Sequence, residues 1–154
     1  MSIRNTAKAL IVHEGKVLLN RCKNPQGGIY YTLPGGGQHL CEALHEAVVR
    51  ECLEESGYRV TPLRLAAVCE SIESDPEFVV AHPDYTHRMY FVFLCRLEEG
   101  RDEPTEKDSS QEESEWIPLE NVAEISLFPT ALHAAFFQVI EGTSPVYLGA
   151  HTLP

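Results

Sequence analysis

The reading of this chain turns on Gly36-Gly37-Gln38-His39-Leu40-Cys41-Glu42-Ala43-Leu44-His45-Glu46-Ala47-Val48-Val49-Arg50-Glu51-Cys52-Leu53-Glu54-Glu55-Ser56-Gly57-Tyr58. From Cys41 to Ser56 there is no Pro or Gly and most residues are good helix formers, while Gly57 stands where a C-terminal cap belongs, so the stretch predicts one helix of about four turns. At ~100° per residue, Leu44, Val48 and Cys52 form an apolar stripe that should face a sheet, and Glu55 lies in line with it. Glu51 and Glu54 crowd the same side, where like charges repel and also oppose the helix dipole. Arg50 can reach Glu54 or Glu46 along the helix, but one guanidinium does not neutralise three carboxylates. A carboxylate half-buried with two others needs a compensating cation. No His or Cys accompanies the cluster at ligand spacing, so a hard divalent ion with oxygen ligands, Mg²⁺ or Mn²⁺, fits better than zinc. Taken alone, a Glu-rich helix end is most often a solvated face with a salt bridge.

Upstream, Ala7 to Val12 and Lys16 to Leu19 read as strands joined at His13-Glu14-Gly15, a turn of hairpin length. After the Pro25-Gln26-Gly27-Gly28 break, Ile29-Tyr30-Tyr31-Thr32-Leu33 predicts a strand running into a flexible loop, Pro34-Gly35-Gly36-Gly37. Glycines just before a helix let backbone groups approach a phosphate or metal closely. Downstream, Tyr58 to Ile72 and Met89 to Leu97 predict further strands, the second a nearly unbroken apolar run as expected of a strand covered on both faces. Glu98 to Glu115 is acidic and carries Gly100, Pro104, Ser109 and Ser110, so it reads as a mobile surface loop before a short strand at Trp116-Ile117. Ala131 to Ile140 predicts a closing helix. Strands interleaved with helices, without a repeat or a second composition regime, point to one α/β layered domain spanning 1–154, with a mixed sheet.

At 154 residues, with 44% hydrophobic and 23% charged residues, the chain sits in the globular range and is long enough to bury a core. The 12 Lys+Arg against 23 Asp+Glu give −11, the wrong sign for tracking a nucleic-acid backbone or an anionic membrane by charge alone. No apolar run approaches the ~18 residues of a membrane span. Five cysteines without a C-x-x-C pair, and an N-terminus lacking the pattern of a secretory signal, predict reduced, mostly buried thiols in a cytoplasmic protein.

Gly36, Glu42, Arg50-Glu51, Glu54-Glu55 and Gly57 resemble, position for position, the Nudix box, G-x5-E-x7-R-E-U-x-E-E-x-G-U with U an apolar residue. Cys52 and Tyr58 are loose fits at U, and His39-Leu40-Cys41 replaces the acidic-Pro-Gly turn of many members, which leaves the substrate class open. The resemblance implies an α/β/α sandwich around a mixed sheet and Mg²⁺-dependent (or Mn²⁺-dependent) hydrolysis of a diphosphate bond in a nucleoside diphosphate derivative, such as ADP-ribose or a nucleoside triphosphate. It implies that Glu51, Glu54 and Glu55 hold the metal, with the Gly35 carbonyl completing the shell, and that Glu42 and Arg50 brace loop against helix. The general base is then Glu51 or an acidic residue of a distant loop, for which Glu112 and Glu113, ahead of Glu115, are the candidates. Arg4 and Tyr30 or Tyr31 are expected to hold a phosphate and stack on a base, Gly36 and Gly37 to approach the substrate, and Glu70 to face its pocket. His82, Asp84 and His87 read as incidental loop residues rather than a metal cluster. Leu127-Phe128-Pro129 and Phe136-Phe137 read as core or as the surface of a possible homodimer. The expected partner is a small nucleotide, with no nucleic acid or membrane. The alternatives are a non-catalytic Nudix ligand-binding module, or an isoprenoid diphosphate isomerase on the same fold, for which the extra His and Cys ligands are not evident.

Overall fold

The opening hairpin carries the central strand of the sheet. In β1 (Arg4–His13) Ala7, Ala9 and Ile11 pack into one core while Leu10 packs into another, the two-residue period of a strand covered on both faces. A two-residue turn at Glu14-Gly15 leads into β2 (Lys16–Lys23), where Leu18 and the flanking Val17 and Leu19 divide in the same way. The computed structural model describes residues 3–107 and 109–153, and of 151–153 the backbone alone.

The remaining strands are β3 (Ile29–Thr32), β4 (Gly35–Gly37), β5 (Tyr58–Glu73), β6 (His87–Arg101), β7 (Gln111–Pro118), β8 (Leu127–Phe128) and β9 (Val146–Leu153). The sheet runs β8-β3-β2-β1-β6-β5-β9, with β4 added to β1 and β7 to β2. The β1/β6, β3/β8 and β5/β9 pairs are parallel and the others antiparallel, so the sheet is mixed. Helix α1 (Leu44–Ser56) covers one face through Ala47, Val48 and Cys52, and α3 (Thr130–Glu141) covers the other through Leu132, Phe136 and Val139. The result is an α/β/α layered fold, with a short α2 (Pro76–Ala81) outside it. No helix of the described residues is long and apolar enough to cross a membrane.

Three expectations are corrected and one strand is added. Helix α1 begins at Leu44 rather than Cys41, because Cys41 is in the left-handed region (φ 64) and the first turn is organised instead by Glu46, which accepts from the Ala43 N–H at 2.9 Å. Gly35–Gly37 is not a free loop but a strand against Thr6 to Lys8. Much of the presumed acidic loop is sheet: β6 runs to Arg101 and β7 begins at Gln111, its acidic residues being the exposed face of a strand paired with β2. The C-terminal β9, whose pattern is broken by Gly149, adds an unforeseen edge strand on β5.

Candidate active site

Gly35 makes the site possible. Its φ of 133° is open to glycine, and a Cβ there would overlap the Ala7 carbonyl oxygen, so only this residue lets β4 lie on β1. Its N–H donates to Glu55 Oε2 at 2.8 Å, and its carbonyl accepts from the Lys8 ammonium. The carbonyl expected to complete a metal shell therefore already has a cation beside it. At the other end of α1, Gly57 (φ 75) takes the left-handed cap and donates to the Leu53 carbonyl, which ends the helix and starts β5.

The box carboxylates divide into two sets. Glu55, in line with the apolar stripe as its spacing requires, is 4% exposed. Its Oε2 accepts from Asn20 Nδ2 as well as Gly35 N, each at 2.8 Å, and Asn20 is held in turn by Ser114 Oγ at 2.8 Å. Burial of a carboxylate is tolerable because these donors replace water. Glu51 and Glu54 instead share Arg50 Nη1, at 2.8 and 3.0 Å. Arg50 also grips Glu42 in a two-point pair, Nε to Oε1 at 2.7 Å and Nη2 to Oε2 at 2.9 Å, and donates to the Gly37 carbonyl at 3.0 Å. These bonds hold the Glu42 carboxyl at about 2, far below its ordinary range, and push Arg50 upward. Glu46, which helical spacing allowed as an Arg50 partner, is engaged at Ala43.

Among the described residues no three His, Cys, Asp or Glu side chains converge as a formed metal cage. The donor chemistry nonetheless fits a hard divalent ion: Glu42, Glu51 and Glu54 bring three carboxylates to a single guanidinium, Glu55 is held beside them by neutral donors, and the excess negative charge is all on oxygen.

A cleft of about 720 Å³ opens beside this helix. Glu51, Gly36 and Gly37 line one side, Arg4, Lys8, Arg88 and Tyr90 the sheet, and Tyr30, Phe128 and Pro129 another wall. Glu51 lies so close to Gly36, and the Arg4 guanidinium so close to Gly37, that a side chain at either glycine would displace them. Arg4, Gly36 and Gly37 thus lie together on the cleft. Tyr30 lines the cleft, its hydroxyl donating to Ser110 Oγ at 3.3 Å, whereas Tyr31 packs on the α3 side and sends its hydroxyl to Glu115 at 3.5 Å. Glu70 does not line the cleft: it accepts from Tyr147 at 2.7 Å and pairs with His87 at 2.9 Å, contacts that lower its pKa. Glu112 is paired with Arg21, and Glu113 is exposed on β7 opposite Arg21; neither reaches the cleft. His82 stacks on Phe78 at 4.8 Å, apart from His87, in keeping with an incidental loop histidine.

Sequence reasoning missed Lys8, Arg88, Tyr90, Phe128 and Glu106 as cleft residues. For Arg88 and Tyr90 the signal was present, since alternate residues of β6 share a face with Val92. Their pairing with Arg4 and Thr6 across β1 had no local signature.

The fold and the box define a class. A model of the NUDIX domain matches residues 3–137, and the chain belongs to the NUDIX family. A protein of Bacillus subtilis (strain 168) named as an ADP-ribose pyrophosphatase, YjhB, is 32% identical over 97 residues, which are 62% of this chain and 42% of that one. The chain thus spans under half the length of that curated relative in the match. Among solved structures, a MutT protein from Bacillus halodurans superposes with a TM-score of 0.69 at 22% identity, covering 97% of this chain and 90% of that one. An ADP-ribose pyrophosphatase from Streptococcus suis superposes with a TM-score of 0.64 at 22% identity, covering 95% and 99%. These likenesses establish the fold.

Proposed function

We propose that the chain is a Mg²⁺- or Mn²⁺-dependent pyrophosphohydrolase that cleaves a diphosphate bond in a small nucleoside diphosphate derivative, a nucleotide sugar such as ADP-ribose or a nucleoside triphosphate. The observation that carries this reading is that the carboxylates bridged by Arg50 open, through Glu51, onto a cleft whose sheet wall carries Arg4, Lys8 and Arg88. In a chain of net charge −11, a basic cleft wall opposite an acidic helix suits an anion that binds together with a cation.

Glu51 and Glu54, with Glu55 behind them, would hold the metal. When bound, the ion supplies charge neutralisation for the diphosphate oxygens and a more acidic water. The chain's own residues do the rest. Arg50 fixes the direction of Glu51 and Glu54 and ties both to Glu42 and the Gly37 carbonyl. Arg4 and Lys8 face the phosphates, and Glu51, the base candidate that lines the cleft, takes the proton of the attacking water. Glu106, on the same cleft, is the loop carboxylate we place ahead of Glu112 and Glu113 as a second candidate base.

One observation favours the second reading, a ligand-binding module: Glu55, one of the three glutamates the metal would need, is already bonded to Asn20 and Gly35. Incubation with ADP-ribose, nucleotide sugars and nucleoside triphosphates, in Mg²⁺ or in chelator, separates the two. Turnover of one class that chelator abolishes supports the hydrolase. Binding without turnover at any Mg²⁺ or Mn²⁺ concentration supports the module.

A further inference from the structure

The cleft wall carries three cations, Arg4, Lys8 and Arg88, and two of them stand side by side on neighbouring strands. Arg4 lies opposite Arg88 in the parallel β1/β6 register, and Thr6 opposite Tyr90, so alternate residues of two neighbouring strands present one face to the cleft. Arg21, Arg50, Arg59 and Arg96 each pair with a carboxylate, and Arg64 and Arg101 donate to backbone carbonyls. Among the described residues Arg4 and Arg88 form no such pair, although acidic residues outnumber basic ones 23 to 12 in the chain.

Both guanidiniums are held on aromatic rings instead, Arg88 with one further bond from Nη2 to Ser71 Oγ at 3.5 Å. Arg4 lies 4.8 Å from the Tyr85 ring centroid, and Arg88 lies 5.7 Å from that of Tyr90 and 6.0 Å from that of Phe128. The rings fix where the charge stands without neutralising it. Beside it, Tyr90 is 3% exposed with its buried hydroxyl next to the Ser71 side chain, and Arg88 Nε is buried without a hydrogen-bond partner. An unmatched buried donor is costly in a folded protein, and here it belongs to a residue that lines a cavity able to hold a ligand.

Resting on the pyrophosphohydrolase reading, we propose that Arg88, Arg4 and the Tyr90 hydroxyl form a subsite for a phosphoryl group additional to the diphosphate that is cleaved. The substrate is then a nucleotide with a third phosphoryl group, and not a nucleotide sugar that ends in a neutral ring. Two guanidiniums on adjacent strands, roughly 4.8 Å apart at the backbone, match an anion of more than one charge better than the uncharged edge of a base. The extra phosphoryl can belong to a triphosphate chain or stand on the distal moiety; the chemistry at the subsite is the same.

The experiment compares kcat/KM, in Mg²⁺, for ATP, GTP, ADP-ribose and ADP-ribose 1″-phosphate. At least one of the phosphoryl-bearing substrates should exceed ADP-ribose by about tenfold or more, through KM, and which one does so tells whether the group lies in the chain or on the distal ribose. Arg88→Gln should shrink that ratio to within about twofold and Arg88→Lys should restore part of it, while Tyr90→Phe, which keeps the ring packing, shrinks it partially. Equal values for ADP-ribose and the phosphoryl-bearing substrates, or a ratio unchanged by Arg88→Gln in a protein that still unfolds cooperatively, would overturn the proposal. So would a GTP-over-ATP preference that Arg88→Gln abolishes, which would make the subsite a base pocket. Calorimetry with inorganic triphosphate and pyrophosphate needs no turnover: tighter binding of triphosphate, lost in Arg88→Gln, upholds the subsite even if the hydrolase reading fails, and equal binding overturns it.

Discussion

Helices α1 and α3 meet the sheet through residues of different size. Helix α1 and β1 meet at Ala7, Ala9, Ala47, Val48 and Cys52, with Ile11 and Leu18 filling the rest of that core, whereas α3 brings Leu132, Phe136 and Val139 against Leu10, Leu19 and Leu33, with Ala66 and Ala67 beneath them. Small residues bring α1 close to β1 and β4, and that approach lets Glu51 reach Gly36 and Glu55 reach the Gly35 N–H. On the α3 side the helix contributes Leu132, Phe136 and Val139, and burial of such side chains stabilises a domain of this size. The difference teaches that the α1 contact is shaped to place charge as well as to bury apolar surface, while the α3 contact only buries it.

Substitutions on the two faces should therefore separate stability from turnover. Phe136→Ala, which empties a buried ring site away from the cleft, should cost about 3–5 kcal/mol in urea unfolding and leave kcat near the native value. A large loss of kcat at matched folded fraction would break the comparison. Arg50→Gln should do the opposite: it removes every link among Glu42, Glu51, Glu54 and Gly37, at roughly 2–3 kcal/mol of stability and at least about a hundredfold in turnover. Retained activity in that variant would show that the carboxylates do not need their brace.

Acid sharpens the same contrast. The Glu42 carboxyl titrates at about 2 in the folded chain against an ordinary 4.5, so its contribution is fully present above 4.5 and is lost as pH falls toward 2. Unfolding followed by circular dichroism should show that decline in the native protein and a flatter profile in Glu42→Gln. The smallest effect concerns the thiols. Burial pushes Cys52 and Cys69 up to about 11 and Cys95 up to about 12, and raises Cys22, while Cys41 is exposed. A thiol reagent at neutral pH should label Cys41 in the folded protein and the other four only on unfolding; rapid labelling of Cys52 would show that the α1 side opens.

The α1 face was legible because its instructions are local. The helix, its Gly57 end and the buried lean of Glu55 follow from residues a few positions apart, whereas the pairing of Glu42 with Arg50 comes only from the resemblance to the Nudix box, since helical spacing offers Glu46 or Glu54 to Arg50. The start of α1 was not legible, since Cys41 and Glu42 have helix-compatible side chains but are held in the loop by backbone conformation and by the Glu42 to His39 N–H bond. Strand β4 escaped notice because three glycines carry no strand propensity and pair only because β1 is there. The opposite cleft wall, drawn from β1, β6, β8 and the start of α3, depends on register between strands more than 80 residues apart. That is why Arg4 could be suspected alone but Arg88 and Tyr90 could not be joined to it. Tyr31 is suggested by its place just before the glycines and Glu70 as a charge inside an otherwise apolar stretch of strand, and strand alternation turns both away from the cleft.

The central claim is that Glu51, placed by the α1 face, does the chemistry at the mouth of the cleft. Its most direct test is single-turnover hydrolysis in saturating Mg²⁺ by Glu51→Gln, with the native substrate found in the panel and with thermal unfolding as the control. The account predicts a fall of about 10²–10⁴-fold in the rate with the unfolding transition little changed. A rate within a few-fold of native in a folded Glu51→Gln protein would contradict it.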